Sequence, residues 1–313
     1  MLTLDAAEVA EALPYDQLMN ALGTAFANDY TVPLRTHHDV PLPGGTAGTL
    51  LLMPAWRPGG SIGIKVATVF PDNAVRNLPA VYASYLLVNA ETGVPLALLD
   101  GSEITLRRTA AASALASSYL SKSDSAQLLM VGTGKLAPHL IAAHATVRPI
   151  TDVLIWGRRR EAAEMLADRL AGSTIAVSVC DDLEQGVGSA DIISCATLAS
   201  EPLIHGESLR AGQHLDLVGA FKPEMREADS NAVARADIYV DTKAGALAEG
   251  GDIVQAIKDG SIAESDIRGE LKDLVTKKAP GRTTDTAITL FKSVGTAIED
   301  LVAAEMVIKN RGL

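Results

Sequence analysis

Gly132, Gly134 and Ala137 stand in the spacing Gly-x-Gly-x-x-Ala, directly after the apolar run Gln127-Leu128-Leu129-Met130-Val131 and at the opening of a helical pattern. Between a strand and a helix, that spacing has a mechanism. Gly132 permits the tight turn, Gly134 lets the backbone approach a pyrophosphate, and Ala137 allows close packing of helix on strand. The helix start then holds the anion through its free N–H groups and its dipole. Thr133, Lys135 and Leu136 complete the turn, which reads as a dinucleotide cradle; an ordinary tight turn of an α/β sheet is the alternative. The residues that would choose between dinucleotides follow the next strand, Trp156-Gly157-Arg158-Arg159-Arg160, with no acid before Glu161. Folds selective for NAD commonly place a carboxylate there for the ribose 2′-hydroxyl. A carboxylate repels a 2′-phosphate, whereas guanidinium groups form charge-assisted hydrogen bonds to it. Positive charge is unfavourable at a helix start. Arg158 and Arg159 therefore ask for an anion and favour NADPH, with NADH as the second choice; a solvated helix start accounts for them otherwise.

The surrounding pattern supplies elements to hold these residues. Leu18, Met19, Leu22 and Phe26 recur at helical spacing after Pro14, which is tolerated in a first turn. From about 32 to 69 the chain breaks into short apolar runs punctuated by Pro33, Pro41, Pro43 and Gly44-Gly45. Residues 49–53 and 61–69 read as strands, and 80–88 and 95–99 as another pair joined by a hairpin loop at 89–93. Residues 109–120 form an alanine-rich helix. From about 126 the texture changes: strands at 127–131, 152–156, 175–179, 190–195, 214–218 and a last one at 238–241 alternate with helices through about 145 and at 161–171. Such alternation indicates βαβ units and a parallel sheet. The expected fold class is α/β: a Rossmann-type doubly wound parallel sheet over 121–292, and an α+β domain over 1–120 to which a helix within 293–313 returns.

Composition narrows the function classes. A chain of 313 residues is long enough for two domains at roughly 150 residues each. Its 27 lysines and arginines stand against 38 acids, a formal charge of −11, which argues against nucleic-acid or anionic-membrane binding. Aromatics at 4% offer no platform for stacking single strands. Cys180 and Cys195 form neither a disulfide framework nor a metal motif, and no metal is expected. The opening residues carry Asp5 and Glu8 without a basic region, unlike a signal peptide. No run approaches the ~18 apolar residues of a membrane span. The expectation is a soluble, cytoplasmic protein.

Leu51-Leu52-Met53-Pro54, the strand around Lys65, Leu106-Arg107-Arg108-Thr109-Ala110-Ala111, the Gly132 turn and Phe291-Lys292-Ser293-Val294-Gly295 follow one another in order. Together they resemble the ornithine cyclodeaminase/mu-crystallin family over essentially the whole chain. The resemblance implies a nicotinamide cofactor, a small amino or imino acid substrate, and a homodimer formed through the substrate-binding domain, here 1–120. By position it implies that Arg35, Lys65 and Arg108 bind the substrate's carboxylate, with Lys65 and Arg108 central to catalysis. An arginine can fix such a carboxylate in place and plane; without the resemblance each cation reads as a surface side chain lying along apolar neighbours. Thr109 and Ser293 match cofactor-contacting positions, or else cap helices. Thr197, just beyond one strand, and Val218, at the end of another, join the cofactor set.

Two departures bear on the reaction. Ornithine cyclodeaminases carry a glutamate where Leu51 stands, and a catalytic aspartate where Phe221 stands in Gly219-Ala220-Phe221-Lys222-Pro223. Cyclodeamination moves protons during ammonia loss, work suited to a carboxylate; leucine and phenylalanine instead line a pocket for ring methylenes. The resemblance therefore points to the Δ1-pyrroline-2-carboxylate reductase branch: reduction of that cyclic imine, and of its piperideine homologue, to L-proline or L-pipecolate. The imine nitrogen either arrives protonated or takes a proton from Lys65 or a water. Alanine dehydrogenase, acyclic ketimine reductase, ornithine cyclodeaminase and non-enzymatic NADPH binding remain as alternatives. Of His37 and His38 at most one can face a pocket from a strand, and a structural role is expected. Asp216 reads as a site residue or a loop cap, Cys195 as a small buried hydrophobe, and Asp252 as a helix cap.

Overall fold

Alternating apolar residues in the first hundred positions build a mixed six-stranded sheet of order β1-β6-β5-β4-β3-β2. Its strands are β1 (Leu2–Leu4), β2 (Thr36–Val40), β3 (Gly48–Trp56), β4 (Ser61–Val69), β5 (Val81–Asn89) and β6 (Pro95–Asp100), with α1 (Ala6–Ala12) and α2 (Tyr15–Phe26) after β1. This computed structural model describes residues 1–76, 78–172 and 174–312. β1 runs parallel to β6, and the other pairs are antiparallel. A strand of three residues has too little alternation to be read from sequence. Asp5 ends it with a capping box: it accepts the Glu8 N–H at 2.9 Å, and Glu8 accepts the Asp5 N–H at 3.1 Å. Helix α3 (Gly101–Leu120) starts eight positions earlier than its alanine-rich half suggests. Asp100 holds that start by accepting the Glu103 N–H at 2.7 Å.

The next residues form an eight-stranded, wholly parallel sheet of order β13-β12-β14-β11-β10-β7-β8-β9. In chain order they are β7 (Gln127–Val131), α4 (Ala137–Val147), β8 (Asp152–Trp156), α5 (Arg160–Leu170), β9 (Ala176–Val179), α6 (Leu183–Ser189), β10 (Ile192–Cys195) and β11 (His214–Leu217). Then come α7 (Ser230–Ala234), β12 (Asp237–Val240), α8 (Lys243–Glu249), α9 (Gly251–Lys258), β13 (Ile267–Glu270), α10 (Leu271–Val275) and β14 (Thr289–Lys292). β9-β8-β7-β10-β11 is the 3-2-1-4-5 arrangement of a Rossmann fold. β12 is therefore not the last strand. β14 inserts between β11 and β12, and β13 lies outside them. Both are four residues long and carry charge, Arg268 with Glu270 in one and Lys292 in the other, which hides them from a search for apolar runs.

After β14, α11 (Ala297–Asn310) returns to the first sheet and packs on β3, β4 and β5 and on α2. The chain thus divides into one unit of Met1–Thr109 with Thr296–Leu313, and a second of Ala110–Gly295. The division falls inside α3. In the first unit the core lies between α11, α1 and α2 and the inner face of the sheet, with Leu18, Leu22, Ala55, Leu87, Leu99 and Leu301 fully or almost fully buried. In the second, Leu129, Ile193, Leu215, Ile238 and Leu290 fill the sheet's interior. Among the described residues no helix is long and apolar enough to cross a membrane.

Candidate functional site

The register of the first sheet sets a row of chemistry-bearing residues. Lys65 of β4 stands opposite Met53 of β3 and opposite Tyr85 of β5; the adjoining row is His37, Leu51, Ala67 and Ala83. Residues paired across strands share a face, so Leu51 and His37 lie on the same side as Lys65, and His38 on the other. That side is the one α11 covers. Both histidines are exposed, and His38 bonds only locally, 3.3 Å from Thr36.

Beneath α11, Lys65 and Arg108 are 3% and 5% exposed. Lys65 Nζ lies 2.9 Å from Oδ1 and 2.8 Å from Oδ2 of Asp300, with Thr105 Oγ1 at 3.4 Å. Arg108 donates from Nε to the same Asp300 Oδ1 at 3.0 Å and from Nη1 to Glu299 at 2.5 Å. Burial pushes the Lys65 ammonium down to about 8; Asp300 opposes that shift, while Arg108 and Arg35 deepen it. Arg35, half-buried just before β2, is thus within electrostatic reach of Lys65. The first unit brings all three sequence-derived cations together, along with two buried carboxylates that sequence reasoning missed. Their signal was present: Glu299 and Asp300 interrupt the otherwise apolar first half of the helix, residues 297–304. Acids in a first helical turn, however, are ordinarily read as partners of the helix dipole. A groove of about 940 Å³ elsewhere in this unit, lined by Tyr30, Arg57, Glu305 and Lys309 among others, contains none of the three cations.

In the second unit Gly132 adopts φ +120°, and a Cβ there would lie 2.6 Å from the Ala196 carbonyl oxygen. Only glycine takes that conformation readily. Gly134 differs: nothing lies within 4 Å of where its Cβ would be. The amides of residues 133–136 donate to no group among the described residues, and Leu136, the N-cap of α4, provides no side-chain cap. A row of free amides beside open space fits a pyrophosphate. Gly157 leaves room for Thr133, whose Cγ2 would sit 2.6 Å from an added Cβ. Arg160 is neutralised by Glu164 at 2.8 Å and by Asp181. Arg158 and Arg159 are exposed and have no charged partner among the described residues.

The strand ends of this unit are tied by a buried polar network. Thr197 donates from N and Oγ1 to Glu227 Oε1 at 2.7 and 2.8 Å, and Gly219 N donates to Oε2 at 2.7 Å. The Glu227 and Ala228 amides donate to Asp252 Oδ1 at 2.7 and 2.9 Å, and Asp252 Oδ2 lies 3.0 Å from Lys292 Nζ. Burial pushes Glu227 up to about 7, against the pull of Lys292 and with the push of Asp252. Asp252 is therefore not a helix cap but a fully buried anchor. Asp216 is likewise internal, accepting from Ser194 Oγ at 2.7 Å and lying 3.1 Å from His144 Nε2. Cys195 is buried, as its surroundings suggested.

The remaining positions are placed as follows. Val218 is almost buried, with its N–H on the Cys195 carbonyl. Ser293 is 3% exposed, and the cap of α11 is Thr296, so Ser293 is no cap. Thr109 lies within α3 rather than at its start, which removes a capping role for it too. Phe221, half-buried, lies in the second unit on the loop after β11, its N–H on the Gly219 carbonyl at 3.0 Å.

The model of the ornithine cyclodeaminase/mu-crystallin family matches residues 1–311. An uncharacterized protein of Schizosaccharomyces pombe is 45% identical over 312 residues, covering 96% of this chain and 94% of its own. The Δ1-pyrroline-2-carboxylate reductase of Colwellia psychrerythraea is 38% identical over 314 residues, covering 99% of both chains. Among solved structures, the Δ1-pyrroline-2-carboxylate reductase of Thermococcus litoralis in complex with NADH and L-proline superposes with a TM-score of 0.94 at 34% identity, over 99% of this chain and 97% of that one. The chain belongs to the ornithine cyclodeaminase/mu-crystallin family.

Proposed function

We propose that the chain reduces Δ1-pyrroline-2-carboxylate, and its six-membered homologue Δ1-piperideine-2-carboxylate, to L-proline and L-pipecolate. The observation that carries this reading is the pair of buried cations Lys65 and Arg108, with half-buried Arg35 in electrostatic reach and apolar Leu51 in the adjoining row of the same sheet face. The cations bind one carboxylate and fix its plane, which orients the neighbouring imine carbon. Leu51 provides apolar surface for ring methylenes, the task the family resemblance also implies for Phe221. No carboxylate stands at either position to manage ammonia loss, which weighs against cyclodeamination. The bound nicotinamide supplies the hydride. Lys65, with an ammonium pushed down to about 8, can hold or yield a proton near neutral pH. One ring methylene is worth only ~1–3 kcal/mol of discrimination in an apolar pocket, so both rings are accepted.

The cradle at 132–136 holds the pyrophosphate, with Thr109, Thr197, Val218 and Ser293 as further cofactor contacts. Arg158 and Arg159 select NADPH over NADH through the 2′-phosphate. The outer face of the first sheet carries Leu50, Leu52, Ile64, Val66 and Leu86, with Val66 38% exposed; two copies pair through it as a homodimer. The deciding experiment follows nicotinamide absorbance with pyrroline-2-carboxylate and each cofactor, beside pyruvate plus ammonia. NADPH-dependent turnover of the cyclic imine without ammonia is expected. Turnover only with pyruvate and ammonia would replace this reading with alanine dehydrogenase.

A further inference from the structure

Lys65 and Arg108 do not stand in the first unit as bare cations. A single carboxylate bridges them: Asp300 meets Lys65 Nζ with both oxygens, at 2.9 and 2.8 Å, and Arg108 Nε with one of them at 3.0 Å. Glu299, its neighbour on α11, takes the other arm of Arg108. Three elements distant in sequence, β4, α3 and α11, converge on one fully buried group.

We propose that Asp300 is the positioning residue of the carboxylate clamp, fixing the Lys65 ammonium and the Arg108 guanidinium side by side as a preformed two-cation seat. This inference rests on the proposed imino-acid reading of the same site. Without Asp300, two like charges a few ångströms apart would repel, and the long lysine side chain would lose its anchor. Burial, Arg108 and Arg35 all favour a neutral Lys65; Asp300 is the group that opposes them. Also near this pair are Thr105 on α3 and Tyr85 on β5, whose buried hydroxyl burial and Asp300 hold in the protonated form. Glu305 on α11 acts on Tyr85 in the same direction.

The test is Asp300→Asn, which keeps the shape and removes the charge. With pyrroline-2-carboxylate, the basic limb of kcat/KM in the wild type should fall near the Lys65 value of about 8. In Asp300→Asn it should move at least one pH unit to acid, about a tenfold further loss above both limbs, with activity largely recovered at low pH. Lys65→Arg placed on Asp300→Asn should abolish that limb, because arginine stays charged. A uniform loss at every pH, with an unmoved limb, would overturn the proposal and leave Asp300 a structural residue. A readout free of turnover is the titration of ¹³C-lysine-labelled protein by NMR, with Lys65 assigned by the signal lost in Lys65→Met. Its midpoint should fall by a unit or more in Asp300→Asn, and an unchanged midpoint refutes the proposal. Should the wild type reduce no imino acid, the substrate reading fails, while the NMR titration still decides the role of Asp300.

Discussion

Replacing Gly134 by alanine separates the needs of the fold from those of the dinucleotide. Gly134 has no positive φ and nothing within 4 Å of its Cβ position, so the free protein accepts a methyl group there. Reduced freedom of the unfolded chain should even stabilise it by ~0.4–1 kcal/mol. The methyl would occupy the space beside the free amides of 133–136, where the pyrophosphate must come close. Loss of one charge-assisted hydrogen bond costs ~1.5–3 kcal/mol, a rise in dinucleotide Kd of roughly 10- to 150-fold. Gly132→Ala should behave in the opposite order. Its φ of +120° and the Ala196 oxygen 2.6 Å from a Cβ put ~1–3 kcal/mol of backbone strain, plus a displaced loop, into the free protein. Urea denaturation without cofactor and calorimetric titration with NADPH measure the two quantities independently. A Gly134→Ala protein that binds NADPH as tightly as the wild type would refute the cradle.

Arg108→Lys keeps the charge but cannot reach both Asp300 and Glu299 as the two arms of Arg108 do; kcat/KM should fall ~10- to 100-fold, about 1.4–3 kcal/mol, and unchanged kinetics would remove Arg108 from the clamp. Ala at both 158 and 159 should raise the KM for NADPH at least ~10-fold with little change for NADH; equal losses for both cofactors would mean the arginines do not read the 2′-phosphate. Burial holds Glu227 at about 7 in the folded chain, above its ordinary 4.5. Its contribution to stability is therefore complete below about 4.5 and is lost as pH rises through about 7. Glu227→Gln should remove that slope, so the variant gains on the wild type between pH 5 and pH 8 in urea titrations; parallel curves would rule the assignment out. Val66→Lys on the outer sheet face should give a monomer by light scattering, and a retained dimer would move the interface elsewhere.

The parallel sheet was legible wherever strands are short apolar runs ending in turns: β7 and β8 fall on the residues their patterns mark. β13 and β14 were not, because a strand carrying Arg268 or Lys292 owes its place to burial and pairing rather than to its own composition. The same holds for the site. Glycine spacing at 132–137 is local, so the turn between β7 and α4 could be read directly. The three cations lie on separate segments, and it took the family resemblance to collect them. Their carboxylate partners went unread because charge compensation joins positions 65 and 300, which no local pattern relates, and acids in a first helical turn pass for partners of the helix dipole. Asp252 misled for a related reason: an acid beside a helix start looks like a cap, yet tertiary contacts with Lys292 and the Glu227 amide claim it.

The first unit is interrupted in sequence by the whole of the second, and this governs the chain entropy of the clamp. Lys65 and Asp300 are 235 positions apart, a long loop to close. Within the second unit, Thr289 Oγ1 donates to the Leu120 carbonyl at 2.8 Å, a contact spanning 169 positions, and the Arg282 side chain donates to the same carbonyl at 2.7 Å. Once that unit has folded, the end of α3 and the start of β14 are held together, and most of the intervening chain no longer counts as free loop. Closing what remains costs about 1 kcal/mol less than closing the whole. Folding is therefore expected to proceed from the parallel sheet outward, with the clamp assembled last, when α11 docks. Destabilising the second unit would then weaken the pairing of Lys65 with Asp300, although neither residue lies within it.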